Sequence, residues 1–381
     1  MAAASSLAPE ATVERFRANL RVIAALAAGS PRAAALQIEQ SPNSPHELLC
    51  FLRRQNLEFY FATQLSAPEL RRVIPGEALR NLEDNLERKR ARQQQLITEL
   101  TNLQPIFDEA SIDFILLKGP ALGERFFGGL HNRAYGDLDI LVRRSELSRT
   151  HRVLRDLGYW RRSRVFVNNA ITTRFAHGYD YKRSDIPVDL HWSLGTHISY
   201  DISYDAIWTT RQPCAIGEVR CPTLSDEYML LNLLLSFFED LDRGAGRIRS
   251  VIDIHHAVHR LEPRLDWRGF FARRATESLG NICEVGLSLM LRLFQCRDAF
   301  PRLVQAMGEG RDRAPSDWSD LEALIEARPG RLRNKLWAAR SYQCPRMTSL
   351  AWWSISLPIR LMVYRPRKRP GRLDRARTNR T

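Results

Sequence analysis

No two of the six cysteines stand as a CxxC pair; Cys50, Cys214, Cys221, Cys283, Cys296 and Cys344 are scattered along the chain. That spacing suggests no disulfide framework, and the reduced thiols of a cytoplasmic protein are expected. No run approaches the ~18 apolar residues that would suggest a membrane-spanning helix. The opening stretch carries Glu10 and Glu14 and lacks the charged-then-apolar layout of a secretory signal. Acidic residues are in short supply: 43 Asp and Glu against 57 Lys and Arg leave a net charge of +14. A surplus of that size attracts polyanions, a class that includes nucleotides, nucleic acid and anionic membranes. Half of it lies in the last stretch, where eight Lys and Arg from Arg365 onward meet one acid, Asp374. A tail of this kind reads as disordered and solvated, so it points to no specific partner.

The organising stretch runs from Phe114 to Val142. Phe114, Ile115, Leu116 and Leu117 form a short apolar run that stops at Lys118-Gly119, as a buried strand bounded by a turn would. Pro120 suits the first turn of a helix, where its missing N–H costs nothing, and Gly128-Gly129 ends that helix. A second strand reads Gly136-Asp137-Leu138-Asp139-Ile140-Leu141-Val142. Side chains alternate along a strand, so Asp137 and Asp139 share one face while Leu138 and Ile140 enter the core. Two like charges side by side on a sheet repel each other. Paired carboxylates of this kind suit a hard divalent cation such as Mg²⁺ (or Mn²⁺), which binds one or two carboxylates plus substrate phosphates. A third carboxylate, Asp189, stands in a later strand-like run, Ile186 to Trp192. Pairing of that strand beside the first brings three acids to one point, enough to hold two metal ions.

The order Leu116-Leu117-Lys118-Gly119, then Arg133 before Gly136-Asp137-Leu138-Asp139-Ile140-Leu141-Val142, then Asp189-Leu190-His191-Trp192 resembles the DNA polymerase beta-like nucleotidyltransferase superfamily. It is most similar to a bacterial branch marked by the same three blocks, and the likeness in layout spans roughly Glu47 to Leu261. The resemblance implies an α+β fold, with a small mixed β-sheet core between N- and C-terminal helical regions. It also implies an NTP (ATP among the candidates) as donor. Asp137, Asp139 and Asp189 would be the metal-binding and catalytic residues. Lys118, Gly119, Arg133 and Gly136 would line the nucleotide. The wider superfamily has Gly-Ser at the phosphate turn where this chain has Lys118-Gly119. Lys118 or backbone N–H groups, at the positive end of a helix, would therefore take over from a Ser hydroxyl. The planar fork of Arg133 is the candidate clamp on the β- or γ-phosphate.

Around this core the expected divisions are 1–110, a helical region; 111–222, the α/β core; 223–348, a second helical domain; and 349–381, an apolar and aromatic segment with the basic tail. Val13, Phe16, Leu20, Ile23 and Leu26 recur at helical spacing up to Gly29-Ser30-Pro31. Residues 34–44 read as a loop, about 46–65 as one helix, and about 77–109 as a long helix whose Lys89, Arg90 and Arg92 are expected to face solvent. A substrate-facing role is the alternative for them, because this helix leads into the Leu116-Leu117-Lys118-Gly119 strand. Ser145 is expected to cap a helix through Asp156 that Gly158 closes. Residues 159–167 and 172–182 read as a hairpin across Asn168-Asn169. Asp180 and Asp185 read as turn or surface residues. From Leu224 the chain turns helical, with Ser225 as cap and Tyr228 to Phe238 buried. Gly244 to Gly246 breaks that helix and 247–261 forms the next. There Asp253 is a candidate to contact substrate or support the site. His255 and His259 have metal-pair spacing but no third ligand, so core or surface histidines are expected. Further helices should occupy 267–344. The segment Leu350 to Tyr364 could touch a membrane surface, but Pro358 interrupts it and packing on the helical domain is preferred.

The expected activity is metal-dependent transfer of a nucleoside monophosphate from an NTP to a hydroxyl, or similar group, on a small molecule or peptide. A nucleic acid acceptor is compatible with the charge but not indicated. Two rivals stand beside it. A DxD-type glycosyltransferase would explain the paired aspartates but not Lys118-Gly119 or Asp189. A non-catalytic nucleotide- or RNA-binding protein would leave three mutually repelling acids without a purpose.

Overall fold

The apolar run ahead of Lys118 is a strand whose every residue is buried. The computed structural model describes residues 9–161, 163–164, 177–195, 200–242, 247–308 and 365–366. In chain order the strands are Phe114–Leu116 (β1), Leu138–Val142 (β2), Trp160–Arg161 (β3), Ser163–Arg164 (β4), Gly178–Arg183 (β5), Ile186–His191 (β6), Gln212–Ile216 (β7), Val219–Thr223 (β8) and Arg365–Pro366 (β9). Among the described residues seven of them form one mixed sheet, joined in the order β3-β5-β6-β2-β1-β8-β7. A separate two-residue pairing joins β4 to β9. The fold is α+β, a small mixed sheet flanked by helices on both sides in sequence.

Strand β2 holds the central position. It lies antiparallel to β1 and parallel to β6, with Asp139 directly beside Asp189. Strand β6 in turn lies antiparallel to β5, which sets Asp180 opposite Asp189. A two-residue turn, Ser184-Asp185, joins β5 to β6 and so fixes that register. Two glycines make the geometry possible. Gly119 has φ +62, and an added Cβ would stand 3.4 Å from the carbonyl of Asp137. A Cβ at Gly178 would stand 2.9 Å from the carbonyl of Leu190 and 3.1 Å from Nδ1 of His191, so the imidazole rests where a side chain would otherwise be.

The helices lock this sheet in place. The long helix Gly76–Glu109 buries two polar side chains as well as its leucines. Gln93 donates to the carbonyl of Arg133 at 2.7 Å and contacts Nδ1 of His131 at 3.0 Å, holding the loop that leads into β2. Glu99 accepts from Arg183 and from the hydroxyl of Tyr159, tying the helix to β5 and to the residue ahead of β3. Lys89 pairs with Glu58, Arg90 lies over the ring of Phe59, and Arg92 reaches Gln95. Beyond the sheet, Asp226–Asp242, Ile248–Leu261, Trp267–Thr276, Gly280–Leu293 and Pro301–Met307 are helical. The first of these is apolar almost all round and buried from Tyr228 to Phe238 except at Ser236, as expected. Among the described residues no helix is long and apolar enough to cross a membrane.

Three local expectations need correction. Residues 31–39 form a helix, not a loop, because Ser30 accepts a bond from the Ala33 N–H and Pro31 opens the first turn. The single helix expected over about 46–65 is two, Pro45–Arg54 and Glu58–Gln64, parted where Asn56 turns left-handed at φ 54. Ser145 lies inside a 3₁₀ turn, Arg144–Glu146, that runs into the helix Leu147–Asp156, so it is not the cap; Gly158 does end that segment at φ +85. The base of the expected hairpin is present, with Trp160 opposite Lys182 and Arg161 opposite Tyr181. Its turn at Asn168-Asn169, the break at Gly244 to Gly246, the helices expected beyond Gly308, the aromatic segment 350–364 and the tail beyond Pro366 lie outside the described residues.

Replacing Gly178 by Ala drives a Cβ into the β6 backbone, so Gly178→Ala should destabilise the fold by about 1–3 kcal/mol. A urea midpoint unchanged from wild type would show that the two strands can separate without cost.

Candidate active site

Strand alternation and register place four carboxylates at one end of the sheet. Asp137 immediately precedes β2, Asp139 lies within it, Asp189 is its neighbour on β6, and Asp180 is the next across on β5. All four line one cavity of 550 Å³, together with Lys118 and Gly119 from the turn after β1. Asp139 is the most enclosed, with 10% of its side chain exposed. Its Oδ1 stands 3.7 Å from the Lys118 ammonium and 3.1 Å from Nε2 of His191.

The electrostatics reflect this crowding. Burial alone would raise the pKa of Asp139, but Lys118 and His191 more than reverse that and hold it well below the carboxylate range. Burial likewise opposes the charge on Lys118, and Asp139 with Asp137 outweighs it, keeping the ammonium protonated above its usual range. Asp137 is pushed up, chiefly by the charge on Asp139 and then by burial. Asp189 is pushed up to about 8, by burial first and then by Asp139, Asp137 and Asp180. Lys118 lowers all three acids, but at Asp137 and Asp189 it offsets only part of the burial and repulsion.

The opposite wall comes from the helices. Glu239 and Asp240 end one helix, Arg247, Arg249 and Ser250 begin the next, and Asp253 stands one turn later; all line the cavity. Arg133, 6% exposed, forms a two-pronged pair with Asp253, Nε to Oδ1 at 2.6 Å and Nη2 to Oδ2 at 2.7 Å. Its third nitrogen, Nη1, donates to the carbonyl of Ala134 at 3.2 Å. The guanidinium therefore ties the β2 loop to the helix Ile248–Leu261, and its fork is engaged by a carboxylate of the protein. His177 stacks on His191, ring centres 5.3 Å apart, and its Nε2 stands 3.8 Å from Glu239.

Of the residues singled out in the sequence, Asp137, Asp139, Asp189, Lys118, Gly119, Arg133 and Asp253 all line this cavity; Gly136 is exposed and is not among the lining residues. His255 and His259 stand elsewhere. His255 is packed against Phe294 and Phe300, and burial lowers its pKa to about 3, which makes it a neutral core histidine. Asp185 is exposed and pairs with Lys182, as a surface residue would. Asp180 is not a surface residue. It alternates with Tyr179 and Tyr181, both buried, and that Tyr-Asp-Tyr pattern opposite Asp189 was the available signal. His177, Tyr135, Glu239, Asp240, Arg247 and Arg249 were also missed, since nothing local to the sequence marks a residue that tertiary packing brings to a site.

Chemically, the site presents hard oxygen donors on one wall and guanidinium and ammonium groups beside them. As the side chains stand, no group of three His, Cys, Asp or Glu among the described residues is arranged to hold a metal ion. Asp139 is turned to Lys118 and His191 instead. The donor set still fits a hard divalent cation, because the acids are oxygen-only, adjacent, buried, and in excess of their protein counter-charges.

The crowding has a measurable consequence in the metal-free protein. An unfolded Asp loses its proton near pH ~3.9. Folded Asp189 keeps its proton until about pH 8. Between those values the native state binds the extra proton, so stability falls as pH rises and levels off above about 8. Asp189→Asn stays neutral and removes this decline. In chelator, the variant should match wild type near pH ~4 and exceed it by about 1–3 kcal/mol at pH ~8. Denaturation curves with the same pH slope for both proteins would contradict the assignment.

One family of known proteins matches the chain. The sequence model of a family described as uncharacterised nucleotidyltransferase matches residues 41–295, a span that contains every strand of the main sheet and the cavity. No curated protein matches the chain. Among solved structures, an antigenic nucleotidyltransferase-like protein from Paracoccidioides brasiliensis aligns with 50% of this chain and 93% of its own at 16% identity. The TM-score of that alignment is 0.28. On the family match, which covers well over half its length and all of the site, the chain belongs to this nucleotidyltransferase family.

Proposed function

We propose that the protein is a divalent-metal-dependent nucleotidyltransferase of the polymerase beta-like type. It moves a nucleoside monophosphate from an NTP to a hydroxyl, or similar nucleophile, on a small-molecule or peptide acceptor. The observation that carries this reading is the run of adjacent carboxylates at one sheet end, beside a lysine at the turn into a helix. In the reaction, a bond forms from the acceptor oxygen to the α-phosphorus, the bond from that phosphorus to the β-phosphate oxygen breaks, and pyrophosphate leaves.

Asp137, Asp139 and Asp189 would hold Mg²⁺ or Mn²⁺. When bound, such an ion supplies charge neutralisation at the phosphates and makes the acceptor hydroxyl easier to deprotonate. Asp189 is the residue to receive the acceptor proton, as a carboxylate held directly beside Asp139 in the neighbouring strand. Lys118 and the helix Pro120–Phe127, which starts at Gly119, offer positive charge to the phosphates. Arg133 is reassigned from phosphate clamp to positioning residue, because Asp253 already takes both arms of its fork. The pair fixes the β2 loop, and through it Asp137, against the helical wall.

Calorimetric binding of each of the four NTPs and of UDP-sugars, with and without Mg²⁺, tests the reading on wild type and Asp137→Ala. An NTP should bind in a Mg²⁺-dependent way, and the folded variant should lose about tenfold or more in affinity. Preference for a UDP-sugar, or no NTP binding by folded wild type, would overturn it.

A further inference from the structure

The helical wall of the cavity sets Arg249 beside Arg133, with Asp253 the acid that acts most strongly on it. Arg133 takes both oxygens of Asp253. Arg249 stands one helical turn before Asp253 and forms no ion pair of its own among the described residues. Its Nη1 reaches the carbonyl of Ala134 at 3.5 Å, and its Nε is buried with no hydrogen-bond partner. Burial and then the neighbouring charge of Arg133 pull its pKa below the usual arginine range. The helix Ile248–Leu261 has no acid in its first turn and carries Arg247 and Arg249 at its positive end, the unfavourable end for a cation. A second unsatisfied group lies close by. Tyr135 is 8% exposed, lines the same cavity, and its hydroxyl is buried without a partner. Its ring also flanks the phosphate turn, since a Cβ at Gly119 would stand 3.8 Å from Tyr135 Cδ2.

Buried donors without acceptors cost free energy, and a like-charge pair adds to that cost. An anion arriving at this wall removes both costs. We propose that Arg249, with Tyr135 beside it, binds the terminal phosphates of the nucleotide, and that this helix thereby selects a polyphosphate over a monophosphate. The charges are arranged for it. Asp137 stands within electrostatic reach of Asp139 on the sheet and of Arg249 and Arg133 on the helical wall, and all line one cavity, so a polyphosphate held at the acids has Arg249 nearby. The planar fork of an arginine suits two phosphate oxygens at once. The inference rests on the nucleotidyl-transfer reading and deepens it, by assigning to the C-terminal helices a part in nucleotide recognition.

The test is calorimetry in Mg²⁺ with the best-bound NTP, its monophosphate and inorganic tripolyphosphate. The proteins are wild type, Arg249→Gln, Arg249→Lys and Tyr135→Phe. Arg249→Gln should weaken NTP and tripolyphosphate by about tenfold or more and leave the monophosphate unchanged. Arg249→Lys, which keeps the charge but not the fork, should fall between, and Tyr135→Phe should cost about threefold. Thermal melting should show Arg249→Gln at least as stable as wild type, since it removes a half-buried charge that has no ion pair among the described residues and whose Nε is unpartnered. Equal loss for all three ligands, or no loss for any, would overturn the inference and leave the nucleotidyl-transfer reading standing. Failure of wild type to bind either NTP or tripolyphosphate would bring down both.

Discussion

Repulsion among carboxylates held in register is the constraint on which the rest of this structure depends. Backbone pairing of β2 with β6 and of β6 with β5 sets Asp139, Asp189 and Asp180 side by side, and Asp137 joins them from the residue just before β2. Directly opposed like charges destabilise a sheet. The fold meets part of that cost locally, with Lys118 and His191 drawn to Asp139. The remainder appears at Asp189, whose pKa burial and then its acidic neighbours push up to about 8. A cluster of this kind, costly in the free protein, would be relieved by a bound divalent cation, in keeping with the proposed function.

The helices on either side of the core act on the same point. Gln93 of the long N-terminal helix holds the backbone of Arg133, and Asp253 of a C-terminal helix holds its side chain. The loop leading to Asp137 is thus gripped from both flanks. A buried ion pair contributes little net stability once desolvation is counted, but removing one partner strands the other at a cost of about 3–5 kcal/mol. Its effect here is to fix position. Gly178 plays a matching part on the far side, since its missing side chain is what allows the ring of His191 to lie against the sheet beside Asp139.

Much of the core was legible from local pattern. The apolar run before Lys118, the proline after Gly119 and the alternation through Asp137 and Asp139 each correspond to an element with nearly the expected bounds. Asp189 could be anticipated because its strand is a short apolar run of the same kind. The helical flanks were less legible. A loop reading of residues 34–44 overlooked the capping by Ser30, and a continuous helix over 46–65 overlooked the turn at Asn56, where local apolar spacing does not register a left-handed residue. The guanidinium wall was out of reach for a different reason. Arg133 and Asp253 are 120 positions apart, and whether an arginine faces a phosphate or a protein carboxylate is set by tertiary packing alone. Arg249 carried no mark of its own for the same reason.

Whether the clustered aspartates are an oxygen-donor site for a divalent cation is decided most directly by titrating the metal-free chain with Mn²⁺. Loss of the free-ion electron paramagnetic resonance signal reports binding without an acceptor or a turnover assay. Wild type should bind Mn²⁺, and Asp139→Asn, shown to be folded, should bind at least about tenfold more weakly. Equal binding by the two proteins, or none by wild type, would contradict the account.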